Sequence, residues 1–319
     1  MSFFGHLFGH EDQREPPGLL PAIEHAVSAV EPMLKQVSGY PNRYRKPVAA
    51  ALEYAHRLAT DLPGPVKVDR ESYAKDAFVH ALFPDINAVG EVICSSVAVR
   101  DYLRKSPASS ELYALMGMRR FEKSVVGMEL SGGVVQHDVA QKAVYFTSHT
   151  IDNPAPSEQQ AREQVAMSLF DSMANKVKQR IEQRRRDKQS LLQERDMLVD
   201  RLRAANAHDS PALEARLASL MEELQSIIAS LEPSNYIGDF EAVLLHPDKY
   251  LRIDQHAIVL DNMGIRRAAD DTARGEEIMF NDLIGYDRRN WTVTMVHCSN
   301  LQNESFAEKL DKAYRRLAI

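Results

Sequence analysis

The chain has little cysteine and little tryptophan: Cys94, Cys298 and Trp291 are the only such residues among 319. Two cysteines exclude a secreted disulfide framework and point to a reducing cytosol. No stretch approaches the roughly 18 consecutive apolar residues of a membrane-spanning helix, so no transmembrane segment is expected. Neither sign of charge dominates: Lys+Arg 39 against Asp+Glu 45 gives a net charge of −6, which excludes a dedicated nucleic-acid coat and leaves room for a local basic patch. The GxxxxGK[ST] and GxGxxG phosphate cradles, the GxSxG elbow, HExxH and CxxC are all missing. No catalytic residue, cofactor or metal site is therefore assigned. What is present, 44% hydrophobic and 26% charged residues, is the composition of a globular chain.

Residues 1–18 are an apolar tag and a Pro-containing linker. Phe3, Phe4, Leu7 and Phe8 fall on one face of a short helix, and each stabilises by roughly 1.5–3 kcal/mol if buried elsewhere. They are expected to dock on the chain's own body or on a protein partner. A peripheral membrane contact is the weaker alternative, because no Lys or Arg stands nearby to attract anionic lipid.

Residues 19–118 read as a helical region. Apolar spacings of three and four place helices over Leu20–Val37 (with Pro32 as a kink or stop), from Lys46 to Leu62, Arg70–Leu82, Ile86–Leu103 and Glu111–Gly117, the last two capped by Asp85 and Ser110. Arg100 and Arg104 form an RxxxR pair that resembles half of the cyclic-dinucleotide signature of the PilZ family. The other half is missing, since Glu129 and Val134 stand where it requires an Asp or Asn and a Gly around Ser131.

Residues 119–156 form a first β block, 233–303 a second one that begins with the run EAVLL, and 304–319 a closing helix. The tetrapeptide His246–Lys249 matches the short motif of J-domain cochaperones. That motif joins two helices, whereas here the pattern predicts strands on both sides and a β-turn.

Between the β blocks, residues 157–232 carry the clearest signal. A helix capped by Ser157 runs without Pro or Gly past Asn206; a return helix capped by Ser210 presents Leu213, Leu217, Leu220, Leu224, Ile227 and Leu231 at heptad spacing. Its length lets it pair with Arg186–Asn206, where Leu191, Leu198, Leu202 and Ala205 are the opposing residues. Val165, Phe170, Met173, Val177 and Ile181 must pack elsewhere, and Glu182–Ser190, with no apolar side chain, should be solvated all round.

The fold class is thus α+β: a helical N-terminal region and an antiparallel β region split by a long antiparallel coiled-coil hairpin. The function that follows is a non-catalytic cytoplasmic adaptor or scaffold. It would work through protein–protein contacts of the seam and of Phe3–Phe8, with a second copy of the chain among the candidate partners. One alternative is a nucleic-acid-associated protein using basic runs 176–188 and 43–46, with Arg43, Arg45, Lys46, Arg184, Arg185, Arg186 and Lys188 as anion ligands. The other is an enzyme with an unrecognised site between the helical and β regions. Asp254, Asp261, Asp270, Asp271, Glu276 and Glu277 fit no calcium loop.

Overall fold

The computed structural model describes residues 18–131, 134–204, 206, 209–268, 275–285 and 290–299. Phe3, Phe4, Leu7, Phe8, Ala205, Asp270, Asp271 and the expected closing helix lie outside the described residues. The fold is α+β. In chain order the elements are α1 (Leu19–Val30), α2 (Asn42–Asp61), β1 (Val66–Lys67), α3 (Arg70–Lys75), α4 (Ala77–Leu82), α5 (Ile86–Ser95), α6 (Val97–Lys105), β2 (Leu112–Ser131) and β3 (Val134–Ala155). The helices α7 (Glu158–Ala204), α8 (Ser210–Ser230) and α9 (Ile237–Leu244) follow, then β4 (Leu251–Leu260), β5 (Glu276–Gly285) and β6 (Asn290–Cys298). No described helix is long and apolar enough to cross a membrane. Two compact units result: Met1–Ala55 with Ser168–Pro247, and His56–Met167 with Asp248–Ile319.

The second unit holds one sheet in the order β3-β2-β6-β5-β4, with β1 parallel to β6 and the remaining pairs antiparallel. The hairpin is therefore an insertion between β3 and β4 of a single sheet. Residues 264–267 stitch the two outer strands together: Val144 N donates to Gly264 O and Arg266 N to Lys142 O on one side, and Arg267 N donates to Val259 O on the other. The long β2–β3 pair bends by three one-residue register steps, each accompanied by a left-handed residue on β3: Asp138 (φ 60), Ser148 (φ 55) and Asn153 (φ 55). Bulges of this kind add twist, which lets the pair coil around the core. Leu112, Ala114, Met116, Met118, Val144, Phe146, Ile258, Leu260, Ile278, Phe280, Val296 and Cys298 join Val79, Leu82, Val89, Ile93 and Val99 of the short helices in that core.

Several expected boundaries move. Glu111–Gly117 is not a helix capped by Ser110 but the start of β2, because Leu112, Ala114, Met116 and Met118, all 0% exposed, alternate with period two. EAVLL is not a strand but the end of α9 and its C-cap Leu245, and Pro247–Lys249 is a 3-10 turn between that helix and β4 rather than part of a β-turn between strands. The two helices expected over 70–103 are four. The Asp76 carboxylate accepts from Phe78 N and Val79 N, the Ser96 hydroxyl accepts from Val99 N, and each starts a new helix inside the apolar pattern. Asp85 caps α5 as expected. Asn42, not Lys46, opens α2, so Pro47 lies inside it. On α8 the cap position is Asp209, and Ser210 is already helical. Both faces of β6 are buried from Thr292 to Val296, as befits a central strand.

Two titrating groups make the second unit's stability pH-dependent. His149 donates from Nε2 to Leu82 O at 2.8 Å and stacks on Phe83; burial pushes its pKa below the ordinary 6.5, more than that hydrogen bond raises it. The unfolded chain then takes up this proton first. His149's contribution is present above the ordinary imidazole range and is lost as pH falls through it. Asp69 caps α3; burial raises its carboxyl, but Lys67 and the N–H and hydroxyl of Ser72 outweigh burial and hold it at about 2, so its contribution persists until strong acid. Urea midpoints should drop between about pH 7 and pH 5, and His149→Gln, which can keep the donor to Leu82, should flatten that step. An unchanged step in the variant would assign the loss to another group.

Candidate functional site

At 1.5 Å per residue, the 47-residue α7 is about 70 Å long. On α8 the buried stripe is the expected seam: Leu220 and Leu224 are buried and Leu213, Leu217 and Ile227 half-buried, with Leu231 half-buried just beyond the helix. On α7, Leu198 is buried and Leu191 and Leu202 half-buried, and Arg216 crosses from α8 to Glu194 at 2.8 Å. Leu198, Leu220 and Leu224 are thus covered within the single chain. Val165, Phe170, Met173, Val177 and Ile181 are buried in the chain as well. Outside the seam, Met197, Met221 and Ile228 stay exposed at 58%, 46% and 44%.

Glu182–Ser190 is not solvated all round. Asp239, on the first turn of α9 and 4% exposed, accepts from Arg180 Nε at 3.2 Å and from Arg184, whose guanidinium lies 5.9 Å from the centre of the Tyr236 ring. Arg185 donates to Glu31 at 2.6 Å. A buried carboxylate demands paired cations, and long arginine stems reach it from the polar stretch of α7. Two of the candidate anion ligands therefore already hold carboxylates within the first unit, and Arg186 folds back on Gln183. Arg43 and Lys46 face solvent, while Arg45 and Lys188 are half-buried. Tyr44, in the same tract, is buried edge-on against Phe240, so its ring is not available to stack on a base; burial first, then Tyr40, raises its phenol pKa against the pull of Arg43.

In the second unit, residues far apart in sequence assemble a polar cluster on the inner face of the sheet. Arg120 donates to Asp282 at 2.7 Å, the Thr292 hydroxyl donates to the same carboxylate at 2.7 Å, and His256 Nε2 lies 3.4 Å away. These contacts tie β2, β4, β5 and β6 together at a buried carboxylate. Elsewhere in this unit a cleft of about 540 Å³ is lined by Tyr73, His80, Phe83, Tyr145, Met263 and Glu276, among others. Both ring nitrogens of His80 meet backbone carbonyls, of Tyr73 at 3.3 Å and of Asn262 at 3.2 Å, so the ring bridges α4 to the turn after β4. Of the described acidic residues of this region, Asp261 pairs with Arg267 and Asp254 with Arg252, and Glu276 lines the cleft together with Asp261. Among the described residues no group of three or more His, Cys, Asp and Glu could hold a metal ion. The buried Cys298 thiol is pushed up to about 12 by burial and then by Asp69, which removes it as a nucleophile.

No family model, curated protein or solved structure matches the chain.

Proposed function

We propose that this chain is a non-catalytic adaptor, acting in the cytoplasm, that holds a protein partner against the outer face of its helical hairpin. The observation that carries the reading is the division of labour on α8. Leu220 and Leu224 of the heptad pattern are buried in the single chain, while Met221 and Ile228, one heptad apart, remain exposed at 46% and 44%. An arm with apolar groups on its outside suits docking better than it suits chemistry. The two cysteines go with a reducing compartment.

The test compares the full chain with Met221→Glu/Ile228→Glu and with a quadruple alanine variant of Phe3, Phe4, Leu7 and Phe8, each as bait in native lysate. A protein captured by the full chain and lost with the double glutamate variant, whose helical content and denaturation midpoint stay unchanged, supports docking on the hairpin. Loss with the quadruple variant alone moves the docking point to the N-terminal residues. The same captures from all three baits would refute the adaptor reading in this form.

A further inference from the structure

We infer that the outer face of the β2–β3 ribbon is a binding platform for single-stranded nucleic acid. Leu112, Ala114, Met116 and Met118 turn inward, so Arg119, Phe121 and Lys123 share the opposite face of β2. The register sets Tyr145 beside Phe121 and Thr147 beside Arg119. The Phe121 and Tyr145 rings stack with centroids 5.6 Å apart at 19° and are 39% and 44% exposed, although nothing in the core requires two aromatics there. Arg119 lies 5.6 Å from the centre of the Phe121 ring. On the neighbouring strand Trp291 comes within 3.6 Å of where a Cβ on Gly117 would stand, which places the half-buried indole on this same outer face.

Charge selects the ligand. The outward positions of the ribbon, alternating from 119 to 127 and from 139 to 147, contain no Asp or Glu, and neither Arg119 nor Lys123 has an ion-pair partner among the described residues. Four residues of extended strand separate these two cations by about 13 Å. Exposed ring faces between unneutralised cations match a strand that offers bases to stack and phosphates to pair. An apolar peptide would use the rings and leave the cations unanswered. The net charge of −6 leaves such a patch local.

The experiment is fluorescence anisotropy of the full chain with a labelled twelve-nucleotide oligouridylate and with its duplex, over a range of salt. The single strand should bind with a log–log salt slope of about −1.4, and Arg119→Gln or Lys123→Gln should each reduce that slope by about 0.7. Phe121→Leu and Tyr145→Leu keep apolar area but remove a ring face, and each should weaken binding about tenfold. All four side chains are exposed, so unchanged circular dichroism and denaturation midpoints will show that the fold is retained. Absence of binding, indifference to Phe121→Leu, equal affinity for the duplex, or loss confined to glutamine variants of Arg43, Lys46 and Lys188 would each overturn the assignment. None of these outcomes bears on the hairpin, so the adaptor reading stands or falls separately.

Discussion

Replacing Arg162 by alanine should destabilise the second unit by about 3 kcal/mol, and lysine should recover less than half of that loss. The reason lies in where α2 ends. The last carbonyls of a helix have no partner inside it, and the chain that follows, Leu62-Pro-Gly-Pro, offers few backbone donors of its own. Arg162, from the first turns of α7, meets that need. Its Nη1 donates to Ala59 O at 2.6 Å, Thr60 O at 3.2 Å and Leu62 O at 2.9 Å, while Nη2 donates to Gly64 O at 3.1 Å. Glu158 orients the fork through Nε at 2.7 Å. Charged donors to carbonyls are each worth more than a neutral hydrogen bond, but they are not additive when one side chain makes them all. The side chain is 18% exposed, so some carbonyls would regain water in the alanine variant, which is why the expected loss stops near 3 kcal/mol. Lysine carries the charge on one point and cannot span four carbonyls. Urea denaturation followed by near-ultraviolet circular dichroism reads the difference; a loss under about 1 kcal/mol for alanine, or full recovery by lysine, would show that the carbonyls find water without cost.

Whether a feature could be read from the residues depended on how locally it is encoded. The α8 seam was legible because six apolar side chains repeat every three and four residues with no competing pattern, and burial follows them. The start of β2 was not: Leu, Ala and Met are good helix formers, and only the strict alternation of 112, 114, 116 and 118 told against a helix there. Asp76 and Ser96 sit inside apolar stretches long enough for one helix each, so their capping roles emerge only once the chain bends. The run EAVLL is short and apolar, which periodicity alone cannot divide between strand and helix. Polar assemblies were the least legible. Arg120, His256, Asp282 and Thr292 meet only because the sheet order brings β2, β4, β5 and β6 together, and no spacing announces that. The stacked pair of Phe121 and Tyr145 likewise depends on the strand register.

Asp239→Ala should destabilise the first unit by about 3 kcal/mol, through its charge rather than its volume. Its carboxylate is 4% exposed and accepts from two arginines of α7, while the phenyl ring of the next residue, Phe240, is 0% exposed and receives Tyr44 edge-on at 5.0 Å. Removing the acid strands Arg184, which is 27% exposed and already has a buried Nε without a partner, beside the Tyr236 ring. An uncompensated, partly buried cation is the costly half of a broken ion pair. Arg180 is 44% exposed and can turn to water, so its loss adds little. Asp239→Asn separates charge from shape: the amide keeps one acceptor oxygen but not the charge, and about half of the loss should remain. The reverse experiment tests the origin of the cost. Arg184→Met with Asp239→Leu replaces the pair by apolar groups of comparable reach, and the double variant should be more stable than Asp239→Ala alone. Equal instability of both would mean that the carboxylate's place in α9, rather than the cation left behind, sets the penalty.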